Sequence, residues 1–269
     1  MSLMRINHVR NELKRLSDVI ASLIKNHKRD LTEYNTQASE SERKLTERES
    51  MAQSQQDWDA LHEINLEKFN NTQPLRIIES LAKLQNELIL VKHVALIESM
   101  IVTTFWCLTH LLSHQEYREK YFSDQINFSD GFEAASKIQE LTNGEIKLKS
   151  LKFWDIFETL KPIRNTIAHG DPLFVMSYRR AIKFNKQIDL IHLDSEKNEC
   201  IHTKGLYPIH IHPSYEPNSK WFCNLKSDLE AIDQLNKKCS DFVEEFRNLY
   251  LKFGACKGIS NNMLYACRF

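Results

Sequence analysis

Arg164 and His169 stand five residues apart at the end of an apolar run, in the string Arg164-Asn165-Thr166-Ile167-Ala168-His169-Gly170. Histidine accepts and releases a proton near neutrality. Arginine stays charged and its planar fork can hold two oxygens of a phosphate. Together these are the minimum equipment for cutting RNA without a metal: a base for the ribose 2′-OH, an acid for the departing 5′-oxygen, and a cation for the phosphate. The spacing alone says little in a chain with 11 histidines. The asparagine directly after the arginine, the small alanine before the histidine and the glycine after it make the string more specific. Asn165 could orient the histidine or cap a neighbouring backbone group, and Ala168 lets another helix approach closely. On an ideal helix an offset of five residues gives about 140° of rotation and about 7.5 Å of rise. One helix therefore does not stack the two groups on each other. Two copies facing across a two-fold axis could share one cleft, so a homodimer or higher even oligomer is expected.

The chain around this string has 269 residues, with six glycines and six prolines. So few turn formers disfavour an all-β fold and favour long helices. Lys+Arg and Asp+Glu balance at 36 each, so RNA would have to be held by a local patch. Arg179, Arg180 and Lys183, with Lys186 beyond them, form the best such patch. The six cysteines show no Cys-x-x-Cys spacing and read as reduced thiols of a cytoplasmic protein. No basic segment leads into an apolar one near the N-terminus, so no signal peptide is read. Val94–Leu112 approaches membrane length, but its embedded polar groups, Glu98 among them, make a buried helix the expectation and exclude a membrane partner.

Val9, Leu13, Leu16, Ile20 and Leu23 recur in a heptad pattern that demands a helix partner. After a polar stretch the pattern returns at Trp58, Leu61, Ile64 and Phe69, which fits either one long helix or two antiparallel ones. The spacing predicts a long helix from Leu75 to about Leu112, a connector over 113–129 and a short helix from Gly131 to Leu141. Another helix is predicted over Leu151–Leu160, with Pro162 re-aiming the turn that carries the motif. Residues 171–185 favour helix slightly. A β-hairpin is predicted at about 188–203, and a last helix from about Asn218 to Phe253, followed by a loose tail. The division is 1–72 as an N-terminal helical or coiled-coil region, 73–254 as the main helical domain and 255–269 as a tail.

The string at Arg164–Gly170 resembles the signature of the HEPN superfamily (higher eukaryotes and prokaryotes nucleotide-binding), many of whose members are ribonucleases. The resemblance implies an all-α, HEPN-like helical bundle, to which this chain adds an N-terminal coiled-coil or helical extension and a small β-hairpin insertion. It implies catalytic roles for Arg164, His169 and Asn165 in a metal-independent endoribonuclease, a prokaryotic toxin or anti-phage effector, with no cofactor. Many members carry a polar residue on the earlier apolar helix facing the motif. Glu98 stands at that position, and a buried carboxylate needs a partner, for which Arg164 is the obvious choice. An antitoxin or regulatory defence partner is implied for such proteins. Members paired with small nucleotidyltransferase antitoxins carry a tyrosine two residues after the histidine. Asp171 stands there, which disfavours that pairing. The other reading of the resemblance is a non-catalytic interaction module that binds a partner protein or nucleotide.

Three other constellations fall short of a site. His202, His210 and His212 could approach a zinc ion, but a fourth ligand at defined spacing is missing. The scattered glycines form no phosphate-cradling loop. No serine or cysteine nucleophile with a neighbouring base can be located.

Overall fold

The computed structural model describes residues 2–112, 131–170, 174–193 and 220–266. Helices make up 82% of these residues, which places the chain in the all-α class despite three short strands. The order is α1 (Ser2–Gln55), α2 (Trp58–Asn71), α3 (Gln73–Leu111), α4 (Gly131–Leu141), a 3₁₀ turn at Leu148–Ser150, α5 (Trp154–Ala168), β1 (Phe174–Ser177), α6 (Tyr178–Asn185), β2 (Ile191–Leu193), β3 (Lys220–Leu225), α7 (Leu229–Cys256) and α8 (Asn261–Ala266).

α1 is one unbroken helix of 54 residues. It turns back at Gln56, which takes a left-handed backbone (φ 54°), and Asp57, whose carboxylate caps α2 by accepting from the Ala60 N–H at 3.0 Å. α2 runs almost directly into α3 through Thr72, with Pro74 in the first turn, where its missing N–H costs nothing. Leu45, Ala52 and Ile64 close the far end of this hairpin as a small separate core.

The first half of α1 belongs to the main core. Leu3, Ile6, Val9, Leu13, Leu16 and Ile20 are buried with the inner faces of α3 and α7. The heptad seam read at Val9–Leu23 is therefore occupied within the chain. The partner helices it demanded are α3 and α7, and the seam is not open to a second copy. His93 of α3 sits fully buried in this contact. Its Nδ1–H donates to the Ile89 carbonyl at 2.8 Å, its Nε2 meets the Asn236 amide of α7 at 2.8 Å, and that amide reaches the Leu13 carbonyl of α1 at 3.2 Å. α4 and α5 cover α3 further along, joined by Phe132 against Trp154 and Phe157 with ring centroids 5.4 and 5.0 Å apart.

Four expectations change. Lys220–Leu225 is a strand, not the start of the last helix, which begins at Leu229 with the Asp228 carboxylate accepting from the Glu230 and Ala231 N–H groups. Phe222 and Leu225 happen to fall at helical spacing with Leu229, but β3 is held by strands distant in sequence. It lies between β1 and β2 in an antiparallel sheet of order β1-β3-β2, pairing Phe174 with Cys223 and Ile191 with Leu225. The first arm of the predicted hairpin thus pairs with 220–225. Its second arm, Cys200–His202, lies outside the described residues, as does the connector over 113–129. Residues 174–185 split into a strand and a short helix instead of one helix. The tail contains α8, whose fully buried Leu264 packs onto Gly254. A Cβ at Gly254 would stand 2.7 Å from Leu264 Cδ1, so any larger residue would require the leucine side chain to shift.

By length and composition alone, the helical stretch Trp58–Leu111 could cross a membrane, but 61% of its most apolar window is buried inside the protein.

Burial outweighs the hydrogen bonds of His93 and holds its pKa below the ordinary 6.5. As pH falls, the unfolded chain takes up this proton first. The stability contributed by His93 is therefore complete above pH 6.5 and is lost as pH falls toward the lowered value. In urea unfolding, the wild type should lose stability below that pH more steeply than His93→Gln, by about 1 kcal/mol per pH unit. Parallel curves would show that His93 does not set the acid limb.

Candidate functional site

α5 is helical because Trp154, Ile156, Phe157, Leu160 and Ile163 form one buried face. Pro162 lies inside the helix and cannot donate to the Glu158 carbonyl four residues back. Arg180 of α6 fills that gap, since its Nη2–H donates to the Glu158 carbonyl at 2.7 Å and its Nε–H to Thr159 Oγ1 at 3.2 Å. α5 continues unbroken past the proline to Ala168. His169 then sits at the C-cap, with its N–H donating to the Asn165 carbonyl at 3.1 Å and the Thr166 carbonyl at 3.2 Å. Gly170 ends the helix with φ +77°, the left-handed position that glycine takes without strain.

Along the last two turns the side chains divide. Asn165, Ala168 and His169 are exposed, while Arg164 faces inward and its side chain is 24% exposed. Arg164 Nη2–H donates to Oε2 of Glu98, which projects from α3 and is only 10% exposed. The Lys161 ammonium stands 3.6 Å from the other carboxylate oxygen and 4.7 Å from the centre of the Phe132 ring. Gly131, at the start of α4, lies directly over Glu98, where a Cβ would stand 3.1 Å from the Glu98 Cγ. One carboxylate thus meets two cations in a pocket made by α3, α4 and α5, and the cluster keeps one net positive charge. Glu98 Oε1 and Arg164 Nε are shielded from solvent and have no hydrogen-bond partner among the described residues.

The sequence-predicted residues therefore fall into three places. Arg164 and Glu98 are brought together. Asn165 and His169 lie on the exposed side of the same helix end, as its geometry requires. Of the proposed RNA-binding residues, Arg180 is tied to α5 and Lys183 pairs with Asp155 at 3.0 Å, whereas Arg179 is exposed. These contacts hold α6 against α5 around a cavity of about 250 Å³ lined by Asp155, Glu158, Thr159, Arg180, Lys183 and Gln187. Lys161 was not singled out from the sequence. The signal was its place three residues before Arg164, on the helix face that Glu98 meets.

No group of three or more potential metal ligands occurs among the described residues. His202, His210, His212 and Asp171 lie outside them. Cys223 and Cys239 are free thiols whose pKa burial pushes up to about 12, so neither supplies a thiolate.

Removing one partner of the Glu98–Arg164 pair leaves an uncompensated charge in a shielded place. Glu98→Leu should lower stability by about 2 kcal/mol, a value reduced for the partial exposure of Arg164. Adding Arg164→Leu should recover part of that loss, so that urea unfolding of the two single variants and the double variant gives a clear coupling energy. Additive losses would mean that the two groups do not depend on each other. No protein-family model matches this chain, and no curated protein or solved structure matches it either.

Proposed function

We propose that this protein is a metal-independent endoribonuclease of the HEPN type, a prokaryotic toxin or anti-phage effector that acts on RNA. The observation that carries the reading is the contact between Arg164, in the motif string, and Glu98, on the earlier apolar helix. The string sits at a helix terminus with its histidine exposed. Its arginine is held by a carboxylate from the position at which the resemblance places a polar residue.

In this reading His169 takes the proton of the ribose 2′-OH. The 2′-oxygen bonds to phosphorus, and the bond from phosphorus to the 5′-oxygen breaks. The leaving oxygen is protonated by the matching histidine of a second copy or by water. Arg164 stabilises the charge gathered on the phosphate, with Glu98 fixing the guanidinium and Lys161 offsetting the carboxylate. Asn165, exposed beside the histidine, orients the base or the substrate. Arg179 is an exposed cation available to the RNA backbone, with Arg180 and Lys183 nearby on α6. Single-stranded loops are the substrate class, because a duplex holds the 2′-oxygen away from in-line attack. A tRNA anticodon loop is the first case to try.

The pairing of Arg164 also favours a second reading, a non-catalytic module that binds a partner protein or nucleotide, since it engages the arginine internally. Purified protein incubated with total RNA in EDTA separates the two. The nuclease reading expects fragments ending in a 2′,3′-cyclic phosphate and a free 5′-hydroxyl. It also expects an inert substrate when the sugar at the cut is 2′-deoxyribose. His169→Ala should lower cleavage at least a hundredfold with unchanged circular dichroism, because its side chain is exposed. Asn165→Ala should cost less. Fragments bearing 5′-phosphates, dependence on magnesium, or full activity in His169→Ala would overturn the assignment.

A further inference from the structure

α3 has two apolar faces, and only one is used inside the chain in its first half. Ala82, Asn86, Ile89, Leu90 and His93 face inward. On the opposite side Ile77, Leu81, Leu84 and Leu88 are 67, 51, 51 and 63% exposed, although each is a large apolar side chain. Val91 is half-buried and Ala95 exposed along the same line. With Pro74 before them, these residues alternate steps of three and four without a break over three heptads, about 32 Å of helix. An isolated exposed leucine means nothing, but an unbroken heptad stripe on a long helix marks a helix-pairing surface.

We propose that this stripe is the seam of a homodimer, in which α3 of a second copy packs in parallel as a two-stranded coiled coil. Two observations choose the second copy. Taking Leu81 and Leu88 as a positions and Ile77, Leu84 and Val91 as d positions, Glu87 falls at g and Lys92 at the following e. A parallel pair sets each Glu87 against Lys92 of the other strand, twice by symmetry. An antiparallel pair, in which g positions face g positions, would instead set Glu87 against Ser80, Val94 or the other Glu87, none of them a cation. Glu87 has no ion-pair partner within its own chain among the described residues, and Lys92, half exposed, reaches Glu12 at 3.2 Å. The remaining flanking positions include the polar residues Ser80 and Gln85, which keep the apolar strip as narrow as a two-stranded coil needs. The inward side of α3, from Ala82 onward, is covered by its own chain.

The register continues to Glu98 at the next d position, where α4 and α5 take over as its cover. The two strands must part there, and both Glu98–Arg164 clusters flank the two-fold axis at the same end of the seam. The dimer does not rest on the nuclease reading, because its test needs no substrate.

Sedimentation equilibrium of the full chain at micromolar concentration should give a dimer. Leu81→Lys with Leu88→Lys should give a monomer with unchanged helicity, since both side chains point to solvent in one copy. Glu87→Lys should raise the dimer dissociation constant roughly tenfold, and adding Lys92→Glu should restore it. Ile77→Cys, far from the middle of the seam, should cross-link to its own counterpart under mild oxidation beyond the wild-type background. A monomeric wild type would overturn the proposal, as would a dimer indifferent to the lysine pair or to the charge swap. Absence of the cross-link would overturn the parallel arrangement. Loss of RNA cleavage with the dimer intact would count against the nuclease reading alone.

Discussion

A helix of 39 residues whose second half is apolar around most of its circumference has few ways to remain in water. α3 is that helix, and most of the architecture consists of what surrounds it. α1 and α7 take one side, where six apolar residues of α1 and the long stripe of α7 leave no gap. α4 and α5 take another, beginning at Glu98. Glu98 puts a buried carboxylate on that second side, and it is tolerated because Arg164 and Lys161 arrive with the covering helix. Covering the helix and assembling the cation cluster are therefore one event, and what brings Arg164 to Glu98 is the packing of Ile163, Leu160 and Phe157.

The same logic explains why Pro162 does not spoil the motif. A proline eight residues into a helix frees one carbonyl, and here the guanidinium of Arg180 takes it. Arg180, expected to meet the RNA backbone, also takes the carbonyl that the proline frees in α5. Lys183 on Asp155 reinforces this joint from the same short helix. α6 and the sheet behind it thus act as a splint for the motif helix.

The long helices were legible in the sequence because heptad and 3.6-residue periodicity persists over many turns. Periodicity reports that a helix has a partner but not whose chain the partner belongs to. For this reason the Val9–Leu23 seam could be read as intermolecular when it packs inside the protein. Glu98 with Arg164 was legible for a different reason: a carboxylate in an apolar run must be compensated. The role of Arg180 was not, because nothing local says which donor will reach a carbonyl 22 residues earlier. β3 was lost for the same reason. Its residues carry helical spacing by accident, and the strands that hold it lie 30 to 50 residues away in sequence.

Ser2, at the start of α1, is buried and donates to the hydroxyl of Tyr250, close to the end of α7. The chain's first helix and its last long one thus complete each other, with more than 170 residues made between them. During synthesis α1 leaves the ribosome with its apolar face uncovered. The α1–α2–α3 hairpin can hide part of that face early, because its pairing is local. The remainder stays exposed until α7 has been translated. Closure of this fold is therefore a late and global event, and a nascent chain stalled before α7 presents its partners with a sticky, half-finished surface.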